Sequence, residues 1–227
     1  MVSGLLILSP AYAQSIIPDE RDIVIETING MILSGQVVAT EKDIVSFKNQ
    51  YGNLEIPLTQ IYRIGGNLFD PQKGIIQEHS VQIQKDGKII RHYPIMVPLR
   101  ANQQKVTLLL PGKVLSFKDL EGNPLSYISN GVNTLSRCTI QLPSHLLPVI
   151  RASILQEDGV SQAAGTYLYT YRYIPDCAQT FNLEITLAEN FHIERVEPAP
   201  SQTLSNTIKW EMKLNRQEAA EFQVFFK

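Results

Sequence analysis

Helix signals are scarce in this chain of 227 residues, and so are cysteine, tryptophan and any excess of charge of one sign. Only "AQSIIPDERD", "SHLLPVIRASILQ" and "NRQEAAEF" have the composition of short helical turns, which excludes a helical bundle and an alternating α/β fold. The formal charge is −2, so there is no global attraction to phosphate backbones or anionic lipid, and nucleic acid is not an expected partner. No segment approaches the ~20 consecutive apolar residues of a spanning helix, so no transmembrane segment is expected in the mature chain. A Gly-x-Ser-x-Gly elbow, a Gly-rich phosphate loop and a dinucleotide fingerprint are all missing. The four histidines, His79, His92, His145 and His192, are scattered without metal-ligand spacing, so neither a metal nor a cofactor is expected.

What is present is period-two alternation, the pattern of half-buried strands. It runs through "IVIETI", "GQVVAT" and "DIVSFKN", and later through "SVQIQKDGKIIRHYPIMVPL", "SRCTIQL", "TYLYTYRYI", "FNLEITL", "TIKWEM" and "EFQVFF". Clusters of Gly, Pro, Asn and Asp separate most of these runs, as hairpins and sandwich corners require. Lys85-Asp86-Gly87-Lys88 is the clearest hairpin signal, because Asp-Gly suits a type I′ turn. Trp210 alternates with Ile208 and Met212 and is expected in a core. The fold class is all-β.

The stretch Arg63 to Gly74, interrupted by Gly65, Gly66, Pro71 and Gly74, reads as a boundary between a small unit at 20–66 and a larger one at 75–227. Gln156 to Gly165 is polar and small-residue-rich and reads as an exposed loop within the larger unit. At the start, "MVSGLLILSPAYAQ" combines a short apolar run with Ala11-Tyr12-Ala13, the small-x-small pattern of a signal cleavage site. Residues 1–13 are therefore expected to be a signal peptide, and the mature protein periplasmic or extracellular.

In an oxidising compartment the only two cysteines, Cys138 and Cys177, would be a candidate disulfide. It would close a loop of about forty residues and stabilise by roughly 4 kcal/mol in the chain-entropy model.

From Glu26 to Ile64 the pattern resembles Sm-like and SH3-like small barrels: a turn at Asn29-Gly30, a bent strand through Gly35, a second hairpin and a closing "IPLTQIYRI". The resemblance implies a small, strongly bent β-barrel. The Sm family's RNA-reading positions fall on Glu41 and Val45, and valine cannot hydrogen-bond a base edge. The second motif's Arg-Gly pair is out of step here, as Arg63-Ile64-Gly65. The rhythm of the barrel is present without its RNA site. The larger unit resembles a generic immunoglobulin-like β-sandwich.

Two groups of tyrosines are the candidate ligand contacts. Tyr51, in "NQYGN", is placed to stack on a flat ligand or to cover a barrel end. Tyr167, Tyr169, Tyr171 and Tyr173 alternate along one strand and face the same way, either as an exposed platform or as a core and its rim. A carboxylate pair such as Glu184 with Glu194 would suit glycoside chemistry if the fold brought the two together. Glu78-His79, and Asp119 with Glu121, read as solvated charges. The expected function is a non-catalytic exported binding or assembly protein that recognises another protein or a cell-surface polymer. The alternatives are a subunit of a homo- or hetero-oligomeric envelope assembly and a carbohydrate-active enzyme.

Overall fold

Alternation of side chains to opposite faces of a strand lets one face bury while the other stays wet, and this chain uses that device almost throughout. The computed structural model describes residues 23–41, 43–96, 105–132, 135–142, 149–175 and 177–227. Regular structure among them is strand, apart from a 3-10 turn at Leu58–Gln60. The expected signal peptide at 1–13, all of "AQSIIPDERD" and His145 lie outside the described residues. No helix among the described residues is long and apolar enough to cross a membrane.

The first unit comprises β1 (Ile23–Thr27), β2 (Ile32–Glu41), β3 (Ile44–Asn49), β4 (Gly52–Pro57) and, after the 3-10 turn, β5 (Ile61–Ile64), in the spatial order β5-β1-β2-β3-β4. Strand β2 pairs with β1 through Gly35 and with β3 from Gln36 onward. A Cβ on Gly35 would lie 2.2 Å from the carbonyl oxygen of Lys48, so the exchange of partners requires glycine there. Ile25, Val45, Phe47, Ile56 and Ile64 fill the interior. Val45, at one of the positions where the Sm family reads RNA, is therefore a core residue.

Gly65 and Gly66, at φ +57 and +81, turn β5 into β6 (Asn67–Asp70), and β6 pairs in turn with β7 (Gly74–Ile83). Strand pairing thus runs on through the stretch read as a boundary. Strand β8 (Ile89–Met96) returns beside β7 through the expected hairpin. Its turn is not type I′: the Gly87 N–H donates to the Gln84 carbonyl at 2.9 Å, and Gly87 takes φ +78 while Asp86 does not take a positive φ.

The remaining strands are β9 (Lys105–Pro111), β10 (Lys113–Lys118), β11 (Tyr127–Val132), β12 (Leu135–Gln141), β13 (Val149–Gln156), β14 (Val160–Ala163), β15 (Thr166–Tyr173), β16 (Gln179–Leu187), β17 (Ile193–Glu197), β18 (Gln202–Leu204), β19 (Thr207–Leu214) and β20 (Ala220–Phe226). The residues "VIRASILQ", read as a helical turn, form β13, because pairing with β8 and β10 on both edges outweighs local propensity. The stretch read as an exposed loop, Gln156 to Gly165, carries the short outer strand β14.

A large sheet runs β10-β13-β8-β7 and continues on the far edge of β7 through the parallel strand β16 to β19 and β18. Two smaller sheets, β11-β12-β9 and β14-β15-β20-β17, cover it. Both lie on the same face: β8 gives Ile89 to one buried cluster and Tyr93 and Ile95, from the same side of the strand, to the other. Trp210, Phe181, Phe222 and Phe226 fill the cluster under the four-stranded sheet, and each such fully buried ring stabilises by roughly 1.5–3 kcal/mol. Trp210 is in the core as expected, with its Nε1–H donated to the Pro198 carbonyl at 2.9 Å. The opposite face of the large sheet has neither small sheet over it.

Candidate functional site

The uncovered face is polar because the sequence makes it so. In β7, β16 and β19 one residue set is buried, including Val81, Leu183, Ile185 and Ile208, and the alternate set is polar. Cross-strand register assembles the polar set into rows. Ser153, His92, Ser80, Glu184 and Lys209 stand side by side on β13, β8, β7, β16 and β19. A second row contains Lys118 opposite Arg151 at one end, and Glu78, Asn182 and Glu211 at the other.

A cleft opens on this face where the sheet forks. Both β6 and β8 use the edge of β7 that β16 does not, but β6 pairs with it only up to Ile76 and β8 only from Ser80 onward. Between them lies a space of about 890 Å³, bordered by Arg63 and Asn67 on one side and by His92, Pro94, Arg151 and Ser153 on the other. Gly66 seats the β5–β6 turn against β13: a Cβ there would fall 2.1 Å from Val149 Cγ2.

The charges in the cleft are unevenly balanced. Lys209 pairs with Glu184 at 2.7 Å, Lys73 with Glu211 at 2.7 Å, and Arg63 with Glu26 at 2.9 Å. Among the described residues no carboxylate pairs with Lys118 or Arg151, although they are direct cross-strand neighbours. His92 Nδ1 lies 2.8 Å from Ser153 Oγ, and burial, together with the charge of Lys118, holds this imidazole below its ordinary pKa. A Ser–His contact is one element of a nucleophilic triad. The third is not assembled: Glu184 stands two strands from His92 and is engaged by Lys209. No three His, Cys, Asp or Glu side chains gather as a metal site among the described residues.

Behind the cleft, on the covered face, lies a buried polar cluster. His79 is 8% exposed, its Nδ1 bonded to the Tyr171 hydroxyl and its Nε2 2.9 Å from the Gln77 amide. Burial, with Arg91 second, lowers its pKa to about 3, so the imidazole is neutral. The reading of Glu78-His79 as two solvated charges is thus half wrong: Glu78 faces solvent, while its neighbour points inward. Asp119 is likewise buried, where it accepts from the Asn123 backbone N–H at 2.7 Å and its side-chain amide at 2.9 Å.

The tyrosine stripe is core and not a platform. Tyr169 is 0% and Tyr171 5% exposed, and Tyr167 and Tyr173 are half-buried, stacked on Phe226 and Phe181. Pairing of β15 with β20 and packing over β16 turn this face inward, so the four rings do not form an exposed platform for a flat ligand. Tyr51 does not cover a barrel end. It stands 87% exposed at the β3–β4 hairpin, with its backbone N–H donated to Asn49 Oδ1 at 2.8 Å, and it does not border the cleft. Glu184 and Glu194 belong to different sheets, and Glu194 is bonded to Lys227 and Thr166, so the suggested glycoside pair is not assembled. Cys138 and Cys177 are both thiols and not a disulfide. They belong to separate clusters: β12 packs over β8, β10 and β13, whereas Cys177 precedes β16 and packs beside the first unit's core.

The residues that shape the cleft were missed in the sequence because they converge only through strand register. The one available signal was the polar set of β7, β16 and β19, which pattern alone assigns to solvent and not to a concave face.

No family model matches the chain, and no curated protein matches it. Among solved structures it is similar to yeast leukotriene A4 hydrolase, at 10% identity with a TM-score of 0.43, over 70% of this chain and 30% of that one. It is also similar to an M1 zinc metallopeptidase from Deinococcus radiodurans, at 13% identity with a TM-score of 0.41, over 70% of this chain and 45% of that one. The chain therefore spans less than half the length of these structures, and likeness at this level says nothing of activity.

Proposed function

We propose that the protein is a non-catalytic, exported binding or assembly protein, periplasmic or extracellular, whose large sheet holds a segment of another protein or of a surface polymer on its uncovered face. The observation that carries this reading is the cleft at the fork of β7, lined by polar side chains from nine strands, among them the neighbours β13, β8, β7, β16 and β19. The first unit fits the SH3-like and Sm-like small barrels, given its strand order, the bend at Gly35 and the 3-10 turn before β5. The larger unit fits a β-sandwich with two covering sheets. Export rests on the signal-like start alone.

The reading is tested by capture of partners from envelope extracts with the native protein and with Ser80→Arg, which fills the centre of the face without entering a core. Partners held by the native protein and lost by the variant are expected. Identical partners for both would refute the use of this face.

A second reading, a subunit of a homo- or hetero-oligomeric assembly, is favoured by three apolar side chains at the β1–β2 turn. Ile28, Met31 and Ile32 are 67%, 50% and 53% exposed within five residues of one another. Sedimentation of Met31→Lys beside the native protein separates the two readings: a native oligomer that the substitution dissociates supports assembly, and two monomers refute self-association.

A further inference from the structure

We infer that Lys118 and Arg151, with Ser153 and His92 beside them, form a subsite for a side-chain carboxylate of a bound peptide segment lying in the cleft. This inference rests on the proposed use of the uncovered face and names what occupies one end of it.

Three observations lead there. Lys118 and Arg151 are directly opposed on β10 and β13, an arrangement that costs stability when two like charges face each other. Arg63, Lys73 and Lys209, the other cations in and beside the cleft, each have a carboxylate partner, so the imbalance is local to this end. Ser153 and His92 then add uncharged hydrogen-bonding groups next to the pair, bonded to each other at 2.8 Å and facing the same space. A guanidinium presents two parallel N–H donors that match a carboxylate, and an adjacent ammonium adds a point charge.

The rest of the cleft selects a peptide over a uniformly charged polymer. Glu78, Glu184 and Glu211 line its other end. Glu184 and Glu211 are engaged by Lys209 and Lys73, so a polyphosphate or an acidic polysaccharide lying along the rows would find no second free cationic patch among the lining residues described and would bring its repeated charge against Glu78. A polypeptide segment carries its charges singly, so one acidic side chain can meet Lys118 and Arg151 while neutral or basic residues run past the glutamates. A neutral sugar would call for an exposed aromatic platform, and the tyrosine stripe is buried.

The test is a titration of the full chain, followed through the His92 imidazole resonances, with a capped Glu-Gly-Lys-Gly peptide, its Gln-Gly-Lys-Gly counterpart and inorganic phosphate. The acidic peptide is expected to shift His92 saturably with a Kd of about 1 mM or tighter, and the glutamine peptide and phosphate to bind at least about tenfold more weakly. Lys118→Gln/Arg151→Gln is expected to weaken the acidic peptide about tenfold or more, while Lys85→Gln, on the distant β7–β8 turn, leaves it unchanged. A native-like His79 spectrum in the double variant shows that its fold is kept, since His79 is shifted by burial and Arg91 and not by the residues replaced. No saturable shift, an equal response to the glutamine peptide, phosphate binding as tight as the peptide, or an unaffected double variant would each overturn the inference. If Ser80→Arg abolishes partner capture and the double variant does not, the subsite is wrong and the use of the face stands. If neither variant changes capture, both fall.

Discussion

The guanidinium of Arg91 lies 5.2 Å from the ring of Tyr171, whose hydroxyl is bonded to Nδ1 of His79. Arg91 comes from β8, Tyr171 from the covering sheet and His79 from β7, so this contact ties three strands at the seam between the two covered clusters. The Nε of Arg91 is buried without a hydrogen-bond partner. A charge held this way acts on every titratable group around it, and His79 shows the effect.

His79 makes stability depend on acidity. The imidazole has its ordinary pKa of 6.5 in the unfolded chain and a value of about 3 in the fold. Between these values the unfolded chain binds a proton that the folded chain refuses, so this group's contribution is complete above 6.5 and is lost as pH falls toward 3. The slope is about 1.4 kcal/mol per pH unit. Urea unfolding of the native protein and of His79→Gln across this range is expected to show the variant with the flatter dependence. Parallel curves would place the acid sensitivity elsewhere.

Arg91→Met removes the second cause of the His79 shift and leaves the first, burial, in place. The His79 pKa is expected to rise from about 3 while staying below its ordinary value. Arg91 is half-buried with its Nε unsatisfied, and an apolar chain of similar length removes that unpaired donor, so the melting temperature is expected to hold or rise. Titration of the imidazole by NMR checks the first expectation and calorimetry the second. An unchanged or lower His79 pKa would show that Arg91 does not act on it.

The all-β class was readable because period-two alternation is a local signal, and so were the β7–β8 hairpin and the core position of Trp210. Tyr167 to Tyr173 were correctly placed on one face, but which face is inside depends on β20 and β16, distant in sequence. "VIRASILQ" carries an equivocal local pattern that two neighbouring strands decide. The cleft was not readable at all. Lys118, Arg151 and His92 come from three strands and meet only through register, and no spacing within any one strand marks them.

Two glycines in strands separate a steric demand from mere presence. A Cβ on Gly35 would meet backbone at 2.2 Å, whereas one on Gly131, in β11, would meet nothing within 4 Å. Gly131→Ala is expected to change stability by less than about 0.5 kcal/mol, and Gly35→Ala to cost about 2 kcal/mol or more, because the backbone of β2 or β3 has to move. Chemical denaturation measures both. Equal effects would mean that the exchange of β2 between its partners does not depend on the missing side chain.

The cysteines are expected to behave as two unlike thiols. Cys138 is 0% exposed inside the cluster under β11-β12-β9, with its Sγ 3.3 Å from Ser129 Oγ, whereas Cys177 is half-buried with its Sγ 3.8 Å from Gln179 Oε1. A disulfide requires Cα atoms within about 7 Å, and packing in separate clusters withholds that approach. Thiol labelling of the denatured, unreduced protein is expected to count two groups, and labelling of the native protein to modify Cys177 well before Cys138, since reactivity follows access to the thiolate. Reductant is expected to leave the melting temperature unchanged. A count below two would restore the bridge and require β12 and the start of β16 to approach each other. With two thiols, the cysteines give no support to an oxidising compartment, and the signal-like start carries that inference alone.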